Sequence, residues 1–232
     1  MRALLLAAGL GTRLRPLTEK TPKCLALIKG RPLLEIWLEK LSQASIGPFL
    51  INTHHLSSQV ENFVTASPYR DQITLVNEDK LKGTAGTLIS NLNFFLNEDA
   101  LLIHADNYCL ANFTEFKNAH EKRPAECLMT MMTFRTNDPS SCGIVQLDEN
   151  GVVVDFYEKV ENPPGNLANG AAYILSAELV SMLSTDFHGI TDFSTEVISQ
   201  FLGRIYTYQT NEVLIDIGTP ASYERANRQV VE

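Results

Sequence analysis

Between Leu6 and Lys23 the chain gathers groups suited to holding phosphate: Leu6-Ala7-Ala8-Gly9-Leu10-Gly11-Thr12-Arg13-Leu14-Arg15-Pro16-Leu17-Thr18, then Thr21-Pro22-Lys23. Gly9 and Gly11 carry no Cβ, so main-chain N–H groups can come close to phosphate oxygens. Thr12 adds a hydroxyl and Arg13 a planar set of donors. Lys23, next to the conformationally restricted Pro22, supplies a mobile point charge for a second phosphate. The string reads as a triphosphate cradle. A bare Gly-x-Gly would read instead as a strand-turn-helix junction with surface Arg and Lys. Two familiar phosphate motifs fail on this stretch: a G-x-G-x-x-G fingerprint would need glycine where Leu14 stands, and no Gly-Lys pair follows at Walker spacing.

Carboxylates come next. Asp106 follows the apolar run Ala100-Leu101-Leu102-Ile103, and Asp216 follows Val213-Leu214-Ile215. Both therefore fall at the carboxyl edges of expected strands, where open α/β sheets bind ligands. Two carboxylates converging there could hold Mg²⁺, which takes one or two carboxylates plus substrate phosphates. A single Asp in that place also serves as a turn or helix cap. Glu158 and Lys159 end another apolar stretch, one able to accept from hydroxyls and the other to meet a phosphate. Standing alone they would be a solvated charge pair. Glu78 and Gly83-Thr84-Ala85-Gly86 lie between an expected strand and a helix; their glycine backbone could lie against a planar base, and Thr84 also suits a helix N-cap. His54-His55 lack companion ligands at metal spacing. Met129, Met131 and Met132 read as packing, and Ser194 lacks a nucleophile motif.

These residues need a frame. Strands are expected at Ala3 to Ala7, Phe49 to Asn52, Ile73 to Val76, Ala100 to Ile103 and Cys127 to Thr133, alternating with helical patterns. Leu33, Leu34, Trp37, Leu38 and Leu41 recur at helical spacing. Further helices are expected at Ser57 to Val64, Ala85 to Phe95, Phe113 to Glu121, Glu178 to Leu183, Thr195 to Phe201 and Pro220 to Arg228. After Gly143 the texture turns to short strands with polar turns. The expected fold is α/β and Rossmann-like: a three-layer mixed, mostly parallel sheet, helices on both faces, and a small β-rich substrate lobe. A single domain, 1–232, would comprise a nucleotide-binding half (about 1–135) and a sugar-phosphate half (about 136–232), with no C-terminal β-helix periodicity.

Composition narrows the function classes. The 232 residues carry 19 Lys+Arg against 27 Asp+Glu, a net charge of −8 that argues against nucleic acid as partner. At 44% hydrophobic the chain can bury one substantial core. No apolar run approaches a membrane span, so a cytoplasmic protein without a membrane partner is expected. Cys24, Cys109, Cys127 and Cys142 show no C-x-x-C pair and read as reduced thiols.

The phosphate string resembles the signature of the sugar-1-phosphate nucleotidylyltransferases. The resemblance runs on, in that family's order, through Gly83-Thr84-Ala85-Gly86, His104-Ala105-Asp106-Asn107, Phe156-Tyr157-Glu158-Lys159, Asn169-Gly170-Ala171-Ala172-Tyr173 and Asp216-Ile217-Gly218-Thr219-Pro220. It implies joining of a nucleoside triphosphate and a sugar 1-phosphate to give an NDP-sugar and pyrophosphate, with Mg²⁺. Arg13, Lys23 and Asp106 would be catalytic; Leu6, Ala8, Gly9, Gly11, Thr12, Arg13, Glu78, Gly83 and Thr84 would bind nucleotide. Asn107, Glu158, Lys159 and Asn169 would hold the sugar phosphate, and Asp106 with Asp216 the metal. The Gly83 string and the compact length resemble guanylyltransferases for mannose- or heptose-like 1-phosphates, which favours GTP. A uridylyltransferase, or a non-catalytic nucleotide-binding homologue, remains open. Ala8, His104-Ala105 and Gly170-Ala171-Ala172 depart from the family pattern. Exposed apolar surface in the second half could support a homodimer.

Overall fold

The computed structural model describes residues 1–187 and 189–229, so the last three residues of the expected domain lie outside the described residues. The chain packs into two compact units, each drawn from separated stretches. The first takes Ala3–Leu81, His104–Leu110 and the chain from Val213; the second takes Met1–Arg2, Lys82–Ile103 and Ala111–Glu212.

In the first unit, the strands Arg2–Leu6, Phe49–Thr53 and Ile73–Asn77 run parallel, with Leu4 opposite Leu50 and Leu50 opposite Thr74. Parallel neighbours need a crossover, and helices supply it. Helix Leu33–Gln43 buries Leu33, Leu34, Trp37, Leu38 and Leu41 on one face, each worth roughly 1.5–3 kcal/mol of apolar burial. Helix Ser57–Ala66 buries Val60 and Val64. Lys29 and Gly30, both at positive φ, turn the Leu27–Ile28 strand back on Arg31–Pro32, as a tight hairpin requires. Helix Pro220–Arg228 starts at a capping box between Thr219 and Ser222, with proline in its first turn.

The second unit is richer in antiparallel pairing. Strand Leu167–Leu175 pairs antiparallel with Ala100–His104, Met129–Arg135 and Gly143–Leu147, and Ile205–Gln209 adds parallel to Met129–Arg135. The hairpin of Gly143–Leu147 with Val153–Glu158 closes through a polar turn in which the Asp148 carboxylate accepts from Asn150 and Val152 N–H. Met129, Met131 and Met132 are buried, as their packing role requires.

The class is the expected mixed α/β fold, a mostly parallel sheet flanked by helices. Two local expectations need correction. The helix expected at Ala85 to Phe95 is a helix Gly83–Ser90 followed by a 3-10 turn Leu92–Phe95. The Asn91 side chain turns back to the Thr87 carbonyl at 2.8 Å and interrupts it. The helix expected at Thr195 to Phe201 is a wide π turn, Phe193–Val197, running into a 3-10 turn. Glu196 there accepts from the Thr191 and Asp192 backbone, a local bond that competes with regular helix.

Candidate functional site

A polar cluster of the first unit is built from three separated stretches. Asn107–Cys109 and Leu214–Asp216 form a short antiparallel ladder in which Asp216 stands opposite Asn107. That register puts the Asp216 carboxylate beside Asp106, and Ile217 N–H donates to the Asp106 carbonyl at 3.3 Å. Lys23, at the start of a 3-10 turn after Pro22, reaches between them. Its Nζ donates to Asp106 Oδ2 at 2.7 Å and to Asp216 Oδ1 at 2.9 Å. Arg13 Nη2 lies 3.5 Å from Asp216 Oδ2.

Exposure grades across this cluster. Lys23 is only 6% exposed, while the Asp106 and Asp216 side chains are 36% and 52% exposed and Arg13 is 70% exposed. Burial disfavours the Lys23 ammonium, but the two carboxylates outweigh it and hold the amine above the ordinary lysine value. Burial likewise opposes the Asp106 carboxylate, but Lys23, with His104 adding to it, holds it below the ordinary aspartate range. Lys23 is therefore a clamped, charged group rather than the mobile one its sequence suggested. The neighbouring Cys24 thiol is pushed up to about 12 by burial, so it stays protonated and inert.

The glycine loop meets this cluster at Arg13 and at Gly11, where a Cβ would stand 3.5 Å from Lys23 Cβ. Gly11 adopts φ +60°, and a Cβ there would stand 2.7 Å from Thr18 Cγ2. The position requires glycine on both counts. Thr18 donates its hydroxyl to the Gly11 carbonyl at 2.7 Å, closing the loop on itself. Gly9 faces open space, with nothing within 4 Å of where a Cβ would be. Thr12 and Arg13 are exposed, Leu6 is half-buried, and Ala8 is buried. Gly218 must also be small: a Cβ would lie 2.9 Å from both Arg13 Nη2 and Asp216 Oδ1. Its N–H donates to Asp216 Oδ1 at 2.8 Å, which fixes that carboxylate. Asn107 is 8% exposed, and its carbonyl accepts from Trp37 Nε1 at 2.9 Å.

The donor set suits a divalent ion. Two hard carboxylate oxygens aim at one point, now neutralised by the Lys23 ammonium, and both side chains keep solvent-facing surface. No group of three or more His, Cys, Asp or Glu side chains suited to a metal occurs among the described residues. Mg²⁺ held by Asp106 and Asp216 would thus complete its shell from substrate oxygens and water.

Glu158, Lys159, Asn169, Gly83 and Thr84 belong to the second unit. Glu158 pairs with Gly143 across the antiparallel ladder, where a Cβ would stand 2.6 Å from Glu158 Oε2. Gly143 is thus what lets that carboxylate lie flat over the neighbouring strand. Lys159 holds φ +49°, its Nζ is 3.1 Å from Glu158 Oε1, and its N–H donates to the Cys142 carbonyl at 3.1 Å. Asn169 sits at a register shift; its Oδ1 accepts from Ala171 N–H at 2.9 Å and its Nδ2 donates to Tyr173 OH at 2.6 Å. Thr84 does not cap its helix, whose N-cap is Lys82. Its hydroxyl accepts instead from Phe193 N–H at 2.7 Å.

With this geometry in place, comparison with known proteins is decisive on one point: a family model described as nucleotidyl transferase matches residues 2–232. The chain belongs to that nucleotidyl transferase family. It is similar to mannose-1-phosphate guanylyltransferase of Mycobacterium tuberculosis, 28% identical over 99% of this chain and 64% of the relative. It is also similar to a UTP–glucose-1-phosphate uridylyltransferase of Synechocystis, 28% identical over 100% of this chain and 63% of that one. The chain thus spans less than two thirds of the length of these curated relatives. Among solved structures, HddC from Yersinia pseudotuberculosis superimposes with a TM-score of 0.82 at 21% identity, covering 97% of each chain, which shows a shared fold. No helix among the described residues is long and apolar enough to cross a membrane.

In this nucleotidyl transferase the first unit brings together Arg13, Lys23, Asp106 and Asp216 from three separated stretches. Glu158 and Lys159 meet each other in the second unit. Sequence reasoning quoted Thr18 and Gly218 within their strings without giving either a part of its own, and it gave none to Asn52 or Gly143. Glycine at a strand position, as at Gly143, was the available signal for close approach. Gly218 follows Asp216 by two residues, and Asn52 ends a β-run whose other residues are apolar.

Proposed function

We propose that this chain is a sugar-1-phosphate nucleotidylyltransferase, joining a nucleoside triphosphate, GTP by preference, to a sugar 1-phosphate. A phosphate oxygen of the sugar phosphate attacks the α-phosphorus; the new P–O bond forms as the bond to the α,β-bridging oxygen breaks, and that oxygen leaves with pyrophosphate. The nucleophile is already an anion, so no covalent enzyme intermediate or general base is needed. The protein's task is alignment and charge stabilisation.

The observation that carries the reading is the convergence of Lys23, Arg13, Asp106 and Asp216 beside an open glycine loop. Gly9, Gly11 and Thr12 would present N–H and hydroxyl donors to the triphosphate, and Arg13 would neutralise the leaving pyrophosphate. Lys23 would exchange its carboxylate partners for phosphate oxygens. Asp106 and Asp216 would hold Mg²⁺, which when bound supplies Lewis-acid stabilisation of phosphoryl charge. Glu78 and the Gly83-Thr84 segment would serve the base; Asn107, Glu158 and Asn169 would serve the sugar hydroxyls, and Lys159 the sugar's phosphate. Both a guanylyl- and a uridylyltransferase stand among the relatives, so the base must be read by experiment. ATP, CTP, GTP, UTP and dTTP would each be paired with mannose, glucose and heptose 1-phosphates, with Mg²⁺, and pyrophosphate release measured. GTP with a mannose- or heptose-type phosphate should give the largest kcat/KM. Triphosphate binding without pyrophosphate release in any pairing would overturn the enzymatic reading in favour of a binding module.

A further inference from the structure

Four consecutive residues at the end of the Phe49–Thr53 strand reach both ends of the phosphate loop and Glu78. Asn52 is 3% exposed; its Oδ1 accepts the Ala7 N–H at 2.7 Å, and its Nδ2 donates to Glu78 Oε1 at 3.1 Å. The Thr53 carbonyl accepts the Glu78 N–H at 2.8 Å. A carbonyl can only accept, so the 2.6 Å contact of His54 Nδ1 with the Glu78 carbonyl places a proton on that nitrogen. His55 Nε2 must likewise donate to the Thr18 carbonyl at 2.9 Å, and Thr18 in turn holds Gly11.

Asn52 is the centre of this arrangement because its one amide accepts from the loop main chain and donates to the Glu78 side chain. The amide oxygen serves the Ala7 N–H and the amide nitrogen serves Glu78 Oε1. The orientation of the amide is fixed by its neighbours, and so is its chemistry. Aspartate would keep the bond to Ala7 but set two buried carboxylates against each other. Glu78 is itself 3% exposed, so it could not escape into water.

Building on the nucleotidylyltransferase reading, we propose that Asn52 is a positioning residue for the nucleoside triphosphate. One side-chain amide locks the first peptide of the phosphate loop to the Glu78 carboxylate, so that the loop and the Glu78 wall keep a single register. His54 and His55 extend the same lock to the Glu78 main chain and, through Thr18, to Gly11.

The test is a double-mutant cycle. Binding of GTP and of UTP with Mg²⁺ would be measured by calorimetry, and kcat and KM by pyrophosphate release, for wild type, Asn52→Asp, Glu78→Gln and the double variant. In the native background, Asn52→Asp should weaken triphosphate binding about tenfold or more and raise its KM in step, leaving kcat at saturation within about threefold. On Glu78→Gln the same change should cost less than about threefold, because an amide at position 78 can turn to donate to a carboxylate at position 52. Equal losses in the two backgrounds, or no loss in either, would overturn the proposal. If the single variant does not fold, the double variant decides: folded with the affinity of Glu78→Gln it supports the lock, unfolded or weaker it refutes it. Wild type that binds neither triphosphate would sink the nucleotidylyltransferase reading itself and this inference with it.

Discussion

The Lys23 ammonium donates to Asp106 Oδ2 at 2.7 Å although 83 residues separate the two in the chain. With Asp216 Oδ1 at 2.9 Å on its other side, Lys23 occupies the point at which two carboxylates would share a cation. A divalent ion arriving there must compete with this ammonium. Lys23→Met should therefore raise the affinity of the nucleotide-free protein for Mn²⁺ by about tenfold or more, since two facing carboxylates are left without a counter-charge. Turnover should fall by about 100-fold or more, because the charge proposed to meet the reacting phosphates is lost. Mn²⁺ electron paramagnetic resonance and pyrophosphate release check the two halves separately. Unchanged Mn²⁺ affinity would show that the ion and the ammonium do not share these oxygens.

Asp106 divides the work differently. It is the less exposed of the two carboxylates, and Lys23 and His104 hold it ionised. Asp106→Asn removes one unit of negative charge while keeping side-chain shape. Turnover at saturating substrates should drop about 100-fold or more, while the triphosphate dissociation constant, measured by calorimetry, should change by less than about threefold. A variant that kept its kcat at saturating Mg²⁺ would remove Asp106 from the metal role.

The conformation of the glycine loop was legible because it is set locally. Gly11 needs positive φ, Thr12 and Arg13 are adjacent donors, and the loop holds itself through Thr18. Parallel strands and the Leu33–Gln43 helix were legible from hydrophobic period alone. What the sequence hid is long-range pairing. Nothing local to Asp216 shows that it stands opposite Asn107, and nothing local to Lys23 shows that both of its partners lie more than 80 residues away. The Thr84 hydroxyl looked like a cap because N-caps are chosen by sequence position, yet Phe193 N–H takes it. His54 and His55 lack metal-ligand companions in the sequence, and nothing local to them shows that their ring nitrogens meet main-chain carbonyls.

Two glycines should differ in what their replacement breaks. Gly11→Ala strains a φ of +60° and presses on Thr18 Cγ2 at 2.7 Å, so it should cost about 2 kcal/mol and impair triphosphate binding. Gly83 is at φ +78°, and a Cβ there would run into the Thr191 carbonyl oxygen. That neighbour is main chain, whose N–H partners include Ala85, so it can yield less than a side-chain methyl. Gly83→Ala should cost about 3 kcal/mol or more. Chemical denaturation of both variants ranks them; a smaller loss for Gly83→Ala than for Gly11→Ala would contradict the steric account.

His120 makes stability depend on pH in a definite direction. It is 1% exposed, with Nδ1 2.8 Å from Thr130 Oγ1 and Nε2 3.5 Å from Asp99 Oδ2. Burial lowers its pKa, and although the neighbouring Asp99 carboxylate opposes this, the value stays below that of an ordinary histidine. The unfolded chain therefore takes up a proton first as pH falls. Stability should be level above about pH 6.5 and decline below it, with a slope of up to about 1.4 kcal/mol per pH unit until the folded protein protonates too. Asp99 is held below its ordinary value, first by the His120 ring beside it and also by the Ala177 N–H that donates to it. Its own contribution is lost only at more acidic pH, below the ordinary aspartate value near 3.8, so the two windows separate. Urea unfolding of wild type and His120→Gln between pH 7.5 and 5 measures the difference. The variant should lose the slope between pH 6.5 and 5 whatever its absolute stability, and parallel curves would assign the acid sensitivity to another group.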